Sequence, residues 1–236
     1  MYSKAETGLV LRLFADILDY PVEALADRTR ECEAALLNRA PEAVSPLGEF
    51  RSFVEGALQG RLEEVYTGVF DLNPVCHPYV GYQLFGESYK RSAFLLGLKE
   101  RYGAQGFQAP DSELPDRFSV MLRFLAQSND EALNQEMIAD GLVPALERIG
   151  KEWGKAETSS EVEDSQSNIQ LEGQSQGEVL RGGFLLEMIE GGDPERASAA
   201  AYPYQQALHA LRLFLGSLEP AEVNRQESRP GGGANA

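Results

Sequence analysis

Apolar residues recur along this chain with the spacing of a helix almost throughout. Leu9, Val10, Leu13, Phe14, Ile17 and Leu18 fall at i, i+1, i+4 and i+5, which builds one apolar face near the N-terminus. Pro21, suited to a first turn, opens a second helix carrying Leu25, Cys32 and Leu36. Ser45 reads as an N-cap with Pro46 just inside, and Leu47, Phe50 and Val54 line one side of the helix that follows. Leu62, Val65, Tyr66, Val69 and Phe70 continue at i, i+3, i+4, i+7 and i+8.

After Phe70 the pattern breaks. "DLNPVCHPYVG" holds two prolines and a glycine and reads as a loop. Helical spacing resumes from about Glu87 through Phe94, Leu95, Leu98 and Tyr102, with Gly103 as the stop. "QAPDSELPD" is a second loop, and Pro115 and Asp116 take the first turn of a helix carrying Phe118, Leu122 and Leu125. "NDEALNQEMIADGLVPALERIGKEW" is one helix interrupted near Gly141 and Pro144, or two helices. A last helix at about 202–218 carries Tyr204, Leu208, Leu211, Phe214, Leu215 and Leu218. No run alternates with period two, so the fold class is all-α, a single helical-bundle domain.

Composition divides that domain. Residues 156–178 carry Glu157, Glu161, Glu163, Asp164, Glu172 and Glu178, no Lys or Arg, and few apolar groups. Such a stretch buries too little surface to offset its ordering entropy and is expected to be a flexible acidic loop. The expected organisation is a helical core at 1–155, the loop at 156–178, a C-terminal helical part of the same domain at 179–219 and a disordered tail at 220–236. The chain has 236 residues, 43% hydrophobic and 25% charged, enough for a real core. Its net charge of −16 argues against nucleic acid, whose phosphates call for Lys and Arg, and suits a basic partner. The amphipathic N-terminus lacks the layout of a signal peptide, and no apolar run approaches the roughly 20 residues of a membrane span. A cytoplasmic protein without integral membrane association is expected.

Catalytic chemistry finds little support. Cys32 and Cys76 lie far apart without CxxC spacing, and Cys76 and His77 are adjacent with only His209 elsewhere, so neither a disulfide framework nor a zinc site is expected. Cys76 reads as a small buried residue, and His77 as a loop residue packed beside Pro78. Ser88 beside Glu87 lacks the strand and flanks of a nucleophile elbow. "RPGGGANA" lacks the Lys-Ser/Thr of a phosphate loop. Glu87 and Arg91 stand at i, i+4, the spacing of an intrahelical ion pair, and either a structural pair or a ligand contact fits them. Asp116 is a dipole-compensating acid or a carboxylate presented to a cationic peptide. Aromatics at helical spacing are mostly core, the reading kept for Phe70 and Phe85. Tyr79 and Tyr82 fall in the Pro/Gly-rich loop, where a large amphipathic ring suits a groove wall for a peptide with apolar and Arg side chains.

"YTGVFD", "LFGESYKRSAFLLGLKERYGAQGF" and "SELPDRFSVMLRFLA" closely resemble the TorD/DmsD/NarJ family of cytoplasmic assembly chaperones of molybdoenzymes, the NarJ (nitrate reductase delta-subunit) branch above all. The match runs from about Leu62 to Leu125. The resemblance implies one helical domain with no enzymatic activity and no cofactor of its own. Such a protein binds the N-terminal segment of a molybdoenzyme catalytic subunit, often a twin-arginine signal peptide or its remnant, and holds that subunit until the molybdenum cofactor is inserted. Molybdenum-cofactor delivery proteins are further partners it implies, and a monomer or a homodimer is compatible with it. Carried over residue by residue, the family's peptide-binding region falls on Tyr66, Val69 and Phe70, on Pro78 and Tyr79, and on Asp116 with Arg117. Tyr82, Glu87, Arg91 and Pro115 complete the candidate set.

Two positions depart from the family. Arg117 stands where relatives usually carry His, which removes any titration near neutral pH there, and it either anchors Asp116 or repels part of a basic peptide. Arg123 stands where they usually carry Glu. Two competing functions are a small helical hydrolase using Glu87 or Asp116 as general base with His77, and a permanent structural subunit of a membrane-bound reductase. Nitrate, selenate, chlorate, dimethyl sulfide and hydrocarbon-oxidising molybdoenzymes are all clients compatible with the resemblance.

Overall fold

The computed structural model describes residues 3–72, 77–164 and 194–218, with the backbone alone described at 154–164 and 194–201. Its elements are α1 (Lys4–Ile17), α2 (Leu25–Leu36), α3 (Pro41–Gly56), α4 (Gln59–Thr67), α5 (Val80–Phe85), α6 (Tyr89–Ala104), α7 (Phe118–Gln127), α8 (Glu131–Glu136), α9 (Val143–Asp164) and α10 (Pro194–Gly216). Two π-helical turns interrupt the series, Gly68–Leu72 after α4 and Met137–Leu142 before α9. Among the described residues there is no strand, only an isolated antiparallel bridge between Tyr79 and Arg117. The all-α expectation holds.

α1 starts at a capping box. Ser3 Oγ accepts the Glu6 amide, and the Glu6 carboxylate accepts the Ser3 amide at 3.2 Å. Its apolar face packs on α7 and α2, α2 packs on α3, and α10 lies against α3, α9 and the first π turn. The core therefore gathers around α10, where Phe214 stacks on Phe14 and Tyr204 meets Phe50, Tyr66 and Phe70 with ring centroids 5.0–5.8 Å apart. A second aromatic group, Tyr102, Phe107 and Phe124, joins α6 to α7.

Several features differ from the sequence expectations. α2 begins at Leu25, and Pro21 stays in the preceding loop with its carbonyl bound by Gln59 at 2.8 Å. Ser45 is inside α3 rather than its N-cap, because Pro41 and Glu42 supply an earlier start. Pro46 then lies within the helix, forgoing one hydrogen bond while its ring is buried. Phe85 is not core: it ends α5 at the surface, against the half-buried ring of Phe94. Pro144, which has no amide to give, is the second residue after the second π turn, so the break expected near Gly141 and Pro144 takes the form of a register change. α9 continues to Asp164, so the acidic stretch is helical at 156–164, while 165–178 lies outside the described residues. α10 begins at Pro194, eight residues before the apolar periodicity.

Candidate peptide-binding site

Two segments far apart in sequence are laid side by side. The Val80 amide donates to the Asp116 carbonyl at 2.8 Å and the Phe118 amide to the Pro78 carbonyl at 3.0 Å, which sets Pro78-Tyr79 against Asp116-Arg117. The buried Tyr102 hydroxyl donates to the Pro115 carbonyl at 2.7 Å and fixes the turn from which Asp116 projects. Arg148 from α9 donates to the carbonyls of Gln83 and Leu84 at 2.6 and 2.7 Å, capping the short α5 that follows Tyr79. The Pro-aromatic segment and the Asp116 turn, two of the segments that the resemblance names, are therefore in contact.

Asp116 is the hinge of this arrangement. It is fully buried, and it lies ahead of α7, one residue before the N-cap Arg117, rather than in the helix's first turn. Arg91 Nε donates to its Oδ2 at 3.2 Å, whereas Oδ1 is buried without a hydrogen-bond partner. Burial pushes the Asp116 carboxyl above the usual range, and the Arg91 charge and the Gly81 amide only partly oppose this. Gly81 makes the approach possible. A Cβ there would lie 2.8 Å from Asp116 Oδ2 and 2.8 Å from Phe94 Cδ1.

Arg91 is not bound to Glu87 as the i, i+4 spacing predicts. Glu87 is exposed and precedes α6, and Arg91 turns inward to Asp116 instead, where the low dielectric makes its charge most effective. On that path its guanidinium carbon lies 5.5 Å from the Tyr79 ring centroid and 5.6 Å from that of Tyr82. Tyr82 is in α5, not in a loop, and its other neighbour is His77, whose ring centroid is 3.8 Å away. Burial and then the Arg91 charge hold the His77 imidazole below its ordinary value. His77 thus packs on the Tyr82 ring, and the Glu87 carboxylate opposes the lowering by burial and Arg91 only in part.

Arg117 does not anchor Asp116. It is almost buried and donates to Glu113 at 2.7 Å and to the Tyr66 hydroxyl, with Asp19 at 3.8 Å. Arg123 reaches Asp16 at 2.8 Å and Asp19 at 2.7 Å. The two departures from the family pattern are therefore linked, since both cations approach Asp19, just past the end of α1.

Tyr66, Val69 and Phe70 are buried, with Tyr66 between Tyr20, Phe70 and Tyr204. Pro78 and Pro115 are buried as well. What a ligand can reach is the half-buried trio Tyr79, Tyr82 and Arg91, with exposed Glu87 at its rim. Cys76 lies outside the described residues. Sequence reasoning did not single out Gly81, Tyr102, Glu113 or Asp19 for the site. Only Gly81 carried a signal, standing two residues after Tyr79 in "PYVG".

A curated protein of Bacillus subtilis (strain 168), "Probable nitrate reductase molybdenum cofactor assembly chaperone NarJ", is 39% identical to this chain over 71 residues. Those residues are 30% of this chain and 39% of the relative, so the chain matches about two fifths of that relative's length. The family described as nitrate reductase delta subunit matches residues 34–156, just over half of the chain and including every candidate residue above. The chain belongs to the nitrate reductase delta subunit family.

Proposed function

We propose that this protein is an assembly chaperone for a nitrate reductase-type molybdoenzyme, acting in the cytoplasm. It binds the N-terminal segment of the catalytic subunit through Tyr79, Tyr82 and the Asp116 carboxylate and keeps that subunit open to molybdenum-cofactor insertion. The family is one of non-catalytic assembly proteins, so a hydrolase is not carried forward. The observation that carries the reading is the cluster itself. Two tyrosine rings flank a guanidinium on a buried carboxylate, at the edge of a chain with net charge −16. Rings and carboxylate favour a segment that combines apolar and cationic side chains. Tyr66, Val69 and Phe70 serve it from beneath, because Tyr66 holds Arg117 and thereby the turn carrying Asp116. Among the described residues no helix is long and apolar enough to cross a membrane.

The test is calorimetric titration with N-terminal peptides of the nitrate reductase-type catalytic subunits of the same organism. Saturable binding is expected, and failure of every such peptide with folded protein sinks the reading. The family's description as a delta subunit is the observation behind a second reading, a permanent subunit of the reductase. Co-purification with the mature, cofactor-loaded enzyme favours that alternative, whereas a chaperone is found on the immature subunit alone.

A further inference from the structure

The internal pairing at the cluster is incomplete. A guanidinium offers five N–H donors in a fork that matches both oxygens of a carboxylate. Among the described residues, Arg91 gives Asp116 a single bond, from Nε to Oδ2 at 3.2 Å, and leaves the buried Oδ1 without a partner. A fully buried carboxylate with one orphaned oxygen has unused capacity best matched by a planar cation with two parallel donors. The same guanidinium lies against both Tyr79 and Tyr82, the aromatic walls such a cation needs. Arg91 itself comes from the first turn of α6, a helix of which only Leu98 and Tyr102 are buried, and its side chain is 18% exposed at the opening. The arm can therefore swing outward without dismantling the core.

We propose that Arg91 is an internal occupant of a guanidinium site formed by Tyr79, Tyr82 and Asp116, which an incoming arginine side chain takes over. Applied to the peptide-binding reading, on which its biological use rests, the site selects client segments bearing arginine, and Arg91 competes with them rather than contacting them. The client-free protein keeps its buried carboxylate paired, and the client's bidentate fork replaces a single bond. Lysine, a point charge without the fork, is a poor replacement.

The sign of one substitution separates this from a fixed structural pair. Arg91→Ala vacates the site, so acetyl-arginine amide is expected to bind the variant and not the wild type, and acetyl-lysine amide neither. Asp116→Asn in the same background abolishes that binding. An arginine-bearing N-terminal client peptide is expected to bind Arg91→Ala about tenfold more tightly than wild type. The same peptide with citrulline in place of arginine gains nothing. A folded Arg91→Ala protein that ignores acetyl-arginine amide, or that binds the arginine peptide more weakly than wild type, overturns the proposal. Where the variant is too unstable for titration, its melting temperature is followed against acetyl-arginine amide concentration. A rise supports the site and a flat response overturns it. If acetyl-arginine amide binds Arg91→Ala while no client peptide binds either protein, the guanidinium site stands and the chaperone reading fails.

Discussion

Gly81→Ala sets a methyl group into a space already filled. Its Cβ would lie 2.8 Å from Asp116 Oδ2, 2.8 Å from Phe94 Cδ1 and 3.3 Å from Arg91 Cγ, the first two closer than such contacts occur. Overpacking of this kind costs about 1–3 kcal/mol. The substitution also pushes Asp116 away from Arg91, and separating a buried ion pair adds to the cost, up to about 3–5 kcal/mol when one partner is lost outright. Against this stands a gain of about 1 kcal/mol in helix propensity. The net expectation is a loss of about 2 kcal/mol, or roughly 4–8 °C in melting temperature for a chain of this size. Gly97→Ala is the control. Gly97 lies inside α6, and a methyl group added there meets nothing within 4 Å, so only the propensity acts and stability rises by up to about 1 kcal/mol. Urea titrations followed by far-ultraviolet circular dichroism measure both. Equal shifts of the two variants, or a Gly81→Ala protein as stable as wild type, refute the close packing of Gly81 on the carboxylate.

Asp116 also makes stability depend on pH. Its carboxyl is held above the ordinary 3.8 by burial, so the folded state prefers the protonated form more than the unfolded state does. That contribution is complete below the unfolded value and is lost as pH rises through the higher folded value. The stability of wild type minus that of Asp116→Asn is therefore expected to fall as pH is raised from the acid range, around the ordinary 3.8, towards neutral, and parallel curves contradict it. Cys32 is fully buried and its thiol is pushed far up by burial, with Glu31 and Glu33 adding to it. Alkylation mapped by mass spectrometry should leave it unmodified in the native protein and reach it on unfolding, and labelling at the rate of an exposed thiol refutes the packing.

The helices with regular apolar spacing, α1 and α7 above all, were legible because their buried faces repeat every three to four residues. The start of α10 was not, since "PERASAAA" has no large apolar residue to mark a face. α3 was misread at its start because Ser45-Pro46 imitates a cap more loudly than Pro41-Glu42. At the site, proximity rules led astray. Glu87 lies four residues from Arg91, yet burial and a neighbour 25 positions away in sequence decide the pairing. That neighbour is delivered by the Tyr79–Arg117 bridge, a contact between loops that no local pattern encodes. The resemblance to a known family brought Asp116 and Tyr79 forward together, but it could not tell the reachable Tyr79 from the buried Tyr66, since both are aromatic residues in matching motifs.

Whether the Tyr79 wall grips the client is decided by the affinity of the catalytic subunit's N-terminal peptide for wild type, Tyr79→Ala and Tyr89→Ala. Tyr79 is half-buried against Arg91, whereas Tyr89 is 87% exposed on α6. Tyr79→Ala is expected to weaken binding by about 1–2 kcal/mol, roughly 5- to 30-fold, with its helical signal intact, while Tyr89→Ala binds as wild type does. Equal affinity of all three proteins, with the peptide still bound, contradicts a peptide site at this cluster.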